Sequence, residues 1–115
     1  MPSLTSFVRG SVVLVSIRFS DDSGVKRRPA VIMSVDAVHE SRADALIVPL
    51  TSRVSAQRFG DHLLLDWADA GLPLASMAKG VVETVERSTF GPVLGTLTSR
   101  DLAAIEHSLR DVLGL

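Results

Sequence analysis

The 115-residue sequence predicts a mainly β fold of the α+β class, a small β-barrel carrying a C-terminal helix and one short helix. Three observations predict it. The apolar runs are short and rich in branched residues, as strands are. Each run is bounded by turn-forming residues such as Ser20–Gly24 or Phe90–Pro92. Only the last segment changes to a helical period. Many strands in so short a chain favour a small barrel over a sandwich.

In chain order the expected strands are Val12–Ile17, Ala30–Val35, Ala45–Leu50, Leu63–Leu65, Val81–Val85 and Val93–Leu97. In the first, both alternating sets are mostly apolar, so that strand is expected to be covered on both faces. Ser20–Pro29 reads as a ten-residue connection between two strands, longer than a hairpin needs. A short helical turn is expected at Asp66–Ala70, stopped by Gly71 and Pro73. In the last segment Leu102, Ile105, Leu109, Val112 and Leu113 recur at helical spacing. Arg100, Asp101, Glu106, His107 and Arg110 take the other face. Thr98 and Asp101 have capping-box spacing, and Gly114 stands where helices stop. No repeat or linker divides the chain, so residues 1–115 read as one domain.

Composition excludes several classes. A chain that is 46% hydrophobic is not a disordered, solvating polypeptide. It has no cysteine, hence no disulfide framework and no thiolate nucleophile or ligand. His39, His62 and His107 are too scattered for a zinc site, so no metal or cofactor is expected. No run approaches the roughly 18 apolar residues of a membrane span. Nothing near Met1 reads as a signal peptide, so the expected location is the cytoplasm. The formal net charge of −1 argues against a duplex-sliding protein, but Lys26, Arg27 and Arg28 concentrate positive charge locally.

That basic run ends at Pro29, which biases Arg28 towards extended backbone and sets it at a loop–strand junction. Val48-Pro-Leu-Thr-Ser-Arg53 ends a strand on two hydroxyls and a guanidinium, groups that suit phosphate. Ser76-Met-Ala-Lys79 adds another hydroxyl and cation. Aromatics are few. Phe19 and Trp67 are the available stacking surfaces, though core packing is the commoner use of either.

Taken in order, these segments resemble the MazF/PemK toxin family. Arg9-Gly10-Ser11-Val12 looks like its opening strand, with Ser11 where an acidic residue is usual. Ser23-Gly24-Val25-Lys26-Arg27-Arg28-Pro29-Ala30-Val31-Ile32 matches its Ser-Gly-x-Lys-x-Arg-Pro-Ala-Val-Val loop, and Pro49-Leu50-Thr51-Ser52 its Pro-Leu-Thr-Ser strand end. Gly71–Ser76, Thr84, Leu94–Leu97, Asp101-Leu102 and Leu113–Leu115 follow in the family's order.

The resemblance implies an SH3-like barrel of the CcdB/Kid type that forms a homodimer. It implies metal-independent, sequence-specific cleavage of single-stranded RNA, held in check by a cognate antitoxin. Operator DNA would be met only through the antitoxin complex. Arg28 and Thr51 map to the family's important arginine and threonine, and Ser76 to its later serine. Asp21 and Asp22 align loosely with a variable acidic or histidine position, where a carboxylate would assist. Lys26, Arg27, Ser23, Ser52, Arg53, Ser76 and Lys79 are then the expected RNA contacts. The alternative is a non-enzymatic toxin-like barrel that binds DNA gyrase, or an inactive homologue.

Overall fold

The structure, a computed structural model, describes residues 7–18 and 24–115. The elements are β1 (Ser11–Arg18), β2 (Val25–Ile32), α1 (Asp36–Ser41), β3 (Asp44–Thr51), β4 (His62–Leu63) and β5 (Met77–Ala78). β6 (Glu83–Glu86), a 3-10 turn (Arg87–Thr89), β7 (Val93–Thr96) and α2 (Ser99–Leu113) complete the chain. One antiparallel sheet runs β4-β5-β3-β2-β1-β7, and β6 also pairs with β3. β4 and β7 stay at the ends of the order, so the sheet is a half-barrel rather than a closed one. This is the mainly β fold with a C-terminal helix and a short helix that the sequence predicts.

Strand alternation explains the core. Val12 joins Val31, Val48, Leu50 and Ile105 on the face that meets α2. Val13 and Val15 join Ala30, Ile32 and Ile47 on the opposite face, closed by Phe7, Val85 and Phe90. β1 is thus covered on both sides over Val12–Val15, in keeping with its two mostly apolar alternating sets. Each fully buried branched side chain contributes roughly 1.5–3 kcal/mol, and the three central strands supply most of them.

α2 lays Ile105, Leu102 and Leu109 on that core, while Val112 and Leu113 remain exposed. Gly114 ends it at φ 72°, where the Leu115 N–H donates to the Arg110 carbonyl at 2.9 Å. Among the described residues no helix is long and apolar enough to cross a membrane.

Several local expectations are corrected. β2 begins at Val25 rather than Ala30, so Lys26–Pro29 are strand, because pairing with β1 carries the ladder through the basic run. The short helix is α1, not Asp66–Ala70. Residues 67–71 make a turn, with the Ala70 N–H shared between the carbonyls of Asp66 and Trp67. The capping box is absent: the Thr98 hydroxyl donates to Asp66 instead, at 2.6 Å. Asp101 is fully buried rather than on the solvent face. It accepts from the backbone N–H groups of Leu65 and Asp66 at 2.9 and 2.8 Å and lies 2.9 Å from His62 Nε2. A carboxyl group with three partners can stay inside where an unpaired one could not.

Candidate functional site

β2 and β3 pair Ala30 with Pro49, Val31 with Val48 and Ile32 with Ile47. Continuing that register by two residues sets Arg28 opposite Thr51. Both belong to the face of Val15, Ala30 and Ile47, since side chains two apart share a face. Both are half-buried. Lys26 falls on this face of β2 as well.

β5 extends the row. It pairs Met77 with Thr51 and Ala78 with Leu50, and the Lys79 N–H donates to the Pro49 carbonyl at 3.0 Å. Lys79 therefore stands opposite Pro49, two residues along from Thr51, and is exposed. On this register Lys26 and Arg28 of β2, Thr51 of β3 and Lys79 after β5 belong to one face, on interior strands of the sheet.

Thr51 itself is held in place. The backbone N–H of Arg53 donates to its Oγ1 at 3.1 Å, closing a small turn. This bond uses a lone pair of the hydroxyl and leaves its proton available to donate. Ser52 and Arg53 are exposed just past the strand end.

Other expected residues separate from this group. Arg27 points to the opposite face of β2, beside Gly91, where a Cβ would lie 1.8 Å from the Arg27 Nη2. That glycine leaves room for the guanidinium. Ser76 is buried, and its hydroxyl donates to the Leu74 carbonyl at 2.9 Å, which commits it to a turn. Asp21, Asp22 and Ser23, with Phe19, lie outside the described residues. Trp67 packs against the core beside α2.

The histidines have structural partners. His62 is half-buried against Asp101, and His39 Nε2 lies 2.7 Å from the Ser34 hydroxyl, which accepts from the Leu46 N–H. Nearby, Asp66 takes a two-pronged contact from Arg100 at 2.7 and 2.6 Å. The hydrogen bonds from Arg100, then Thr98, hold the Asp66 carboxyl well below the usual carboxylate range. The same pairing raises the Arg100 pKa. The Asp101 contacts carried no signal in the sequence, where an acid in the first turn of a helix reads as a solvated residue. Among the described residues no group of three or more acidic or histidine side chains converges to hold a metal.

The chain matches the family model of the PemK-like, MazF-like toxin of type II toxin-antitoxin systems over residues 8–113. It is similar to an endoribonuclease solved in complex with its cognate antitoxin from a mycobacterial species. The two are 26% identical, with a TM-score of 0.75, over 94% of this chain and 95% of that one. It shares its fold with MazF of the Deinococcus radiodurans MazE-MazF structure (21% identity, TM-score 0.76, 94% and 96% covered). The Mycobacterium tuberculosis toxin MazF-mt6 is comparable (18%, 0.74, 91% and 97%). No curated protein matches the chain. A half-barrel of this topology, matched by the family model along nearly its whole length, makes this chain a member of the PemK-like, MazF-like toxin family of type II toxin–antitoxin systems.

Proposed function

We propose that this chain is a single-domain, sequence-specific endoribonuclease that cuts single-stranded RNA without a metal and is neutralised by a cognate antitoxin. It works as a homodimer in the cytoplasm and meets operator DNA only through the antitoxin complex. Family membership supports the reading. So does the endoribonuclease, solved with its antitoxin, to which the chain is similar. What supports it in the structure is the β2–β3 register, which, carried two residues past the Ala30–Pro49 pair, brings positions 28 and 51 to one face.

In the reaction the 2′-hydroxyl oxygen attacks the adjacent phosphorus, and the bond from phosphorus to the 5′-oxygen breaks. A 2′,3′-cyclic phosphate and a free 5′-hydroxyl result. The protein aligns the two oxygens, stabilises the added charge on phosphorus and handles two protons. Arg28, permanently cationic and planar, grips two nonbridging oxygens. Thr51 donates its hydroxyl proton to the phosphate, its orientation fixed by the Arg53 amide. Arginine is not a proton acceptor at ordinary pH, so a carboxylate, Asp21 or Asp22, takes the 2′-hydroxyl proton, and water supplies the proton that the departing 5′-oxygen takes up. Lys26, Lys79, Ser52 and Arg53 hold the flanking backbone, with Ser23 as a further contact, whereas Arg27, on the opposite face beside Gly91, and buried Ser76, whose hydroxyl donates to the Leu74 carbonyl, do not join them.

The test is a long RNA incubated with the purified protein in EDTA. Discrete fragments at a short recurring sequence are expected. Arg28→Ala should slow cleavage about a hundredfold or more, the equivalent of roughly 3 kcal/mol of barrier. Thr51→Val, similar in shape without the hydroxyl, should be impaired in the same direction. RNA left intact, with gyrase supercoiling inhibited instead, would refute the nuclease reading.

A further inference from the structure

Asp61 stands just before β4, and its contacts bear on Lys79; their consequence for activity rests on the nuclease reading above. β3 gives Lys79 one backbone bond where a hydrogen-bonded antiparallel pair ordinarily gives two. The Lys79 N–H donates to the Pro49 carbonyl at 3.0 Å, but Pro49 has no N–H to return to the Lys79 carbonyl. On the other side, β4 and β5 pair at His62–Ala78 and Leu63–Met77. Carried two residues past His62–Ala78, that register sets Gly60 opposite Gly80. The two backbones do meet there: a Cβ on Gly80 would lie 2.8 Å from the Gly60 carbonyl carbon.

Asp61 supplies a tie that the ladders do not. Its Oδ1 accepts from the Gly80 N–H at 2.8 Å, and its Oδ2 from the Arg58 N–H at 2.9 Å. The Asp61 N–H donates to the Arg58 carbonyl at 3.0 Å, and the Asp61 carbonyl accepts from Gln57 Nε2 at 3.0 Å. One carboxylate thus closes the turn over residues 58–61 and bolts it to the residue after Lys79. Hydrogen bonds to a charged acceptor are roughly twice as strong as neutral ones. We infer that Asp61 is a positioning residue: it fixes the backbone at Gly80 and thereby holds Lys79 on the face that it shares with Thr51, where an RNA phosphate is gripped. A negative charge beside a polyanion would by itself weaken binding, so the sign of the effect is diagnostic. Where holding Lys79 dominates, loss of Asp61 weakens RNA binding; where repulsion dominates, the same loss strengthens it.

The test is a double-mutant cycle on the full chain: parent, Asp61→Ala, Lys79→Ala and the two combined. RNA-cleavage kcat and KM are measured at several salt concentrations, with hydrogen exchange at the Gly80 amide. Asp61→Ala should speed that exchange about tenfold or more. It should raise KM about threefold or more while kcat holds within about twofold. Lys79→Ala should raise KM at least as much and flatten the log–log salt dependence of binding by about 0.7. With Lys79 already removed, Asp61→Ala should change KM by less than about 1.5-fold. Asp61→Asn keeps one acceptor oxygen and should fall between parent and alanine; it replaces Asp61→Ala in the cycle if that variant does not fold. The inference is overturned by unchanged exchange at Gly80, by a KM that falls on losing Asp61, or by Lys79→Ala leaving KM unchanged. A penalty for Asp61→Ala as large without Lys79 as with it overturns it equally. A parent that cuts no RNA refutes the nuclease reading instead. Exchange at Gly80 then decides alone: faster exchange in Asp61→Ala upholds the hold on this backbone, and an unchanged rate refutes it.

Discussion

Replacing Asp101 with alanine should cost this fold a large part of its stability, for a reason visible in its contacts. The carboxyl group is fully buried and takes two backbone N–H groups, from Leu65 and Asp66, besides its contact with His62. Asp101→Ala removes the acceptor and strands both donors. A buried donor left without a partner costs about 1–3 kcal/mol, so two of them put the loss at roughly 4 kcal/mol. Total stabilities of such domains are about 5–15 kcal/mol.

The assay is urea unfolding of the wild type, Asp101→Ala, Asp101→Asn and His62→Ala. With a slope of about 1.5 kcal/mol per molar, the alanine variant should unfold some 2–3 M earlier. Asp101→Asn keeps one acceptor oxygen but turns an amide N–H2 on the remaining donors, and should lose about half as much. His62→Ala leaves both backbone bonds intact and should lose about 1 kcal/mol. If Asp101→Ala shifts the midpoint by under about 0.5 M, or no more than His62→Ala does, the two amides do not depend on this carboxyl and the reasoning fails.

Two further outcomes are expected. Arg100 and Thr98 depress the Asp66 pKa in the folded state, so this group stabilises the fold above its unfolded value of about 3.9, and the benefit drains away as pH falls below about 5. Thermal midpoints measured from pH 7 to pH 2 should decline less steeply in Asp66→Asn than in the wild type, and equal slopes would rule the linkage out. Gly71 sits at φ +84° with the site of a Cβ only 2.1 Å from the Leu94 carbonyl oxygen, whereas Gly24 at φ +121° has nothing within 4 Å. Gly71→Ala should therefore lower the melting temperature by more than about 10 °C, and Gly24→Ala by only a few degrees, from backbone strain alone.

The parts of the fold legible in the sequence were those with strong periodicity. Val12–Ile17 and Ala45–Leu50 are rich in branched residues, broken only by Ser16 in the first and by Ala45 and Pro49 in the second, and both lie in central strands. The spacing of Leu102, Ile105 and Leu109 found α2. Lys26–Arg28 read as loop because charge and a proline look like a connection. Their strand state comes from β1, a partner that local pattern does not reveal. Met77–Ala78 is a strand of two residues, too short for any period, and exists because Thr51 and Leu50 pair with it. Helix α1 has a β-extended Val35 before it, no side-chain cap and no buried residue, so Asp36 in its first turn is the one starting signal it offers.

The residue types at positions 28 and 51 are legible in the sequence, but what stands across β2 and β3 from either is a matter of register. Arg27 shows the limit of composition most plainly. Three consecutive cations look like one patch, yet a period of two sends the middle one to the far side of the sheet, against Gly91.

The way β3 shares its outer edge has a mechanical corollary. Asp44–Ile47 are zipped to β6, whereas Leu50 and Thr51 are zipped to β5, which carries β4 beyond it. The second arm rests on two ladders of two residues each, fastened at its far end by Asp101. Small ladders of this kind open at a lower free energy than the body of the sheet. The wall beside Thr51 can thus breathe while β1, β2 and the first half of β3 stay folded. Grip and scaffold would then melt as separate units, and amide exchange should resolve them as two populations, with positions 62–63 and 77–78 leaving first.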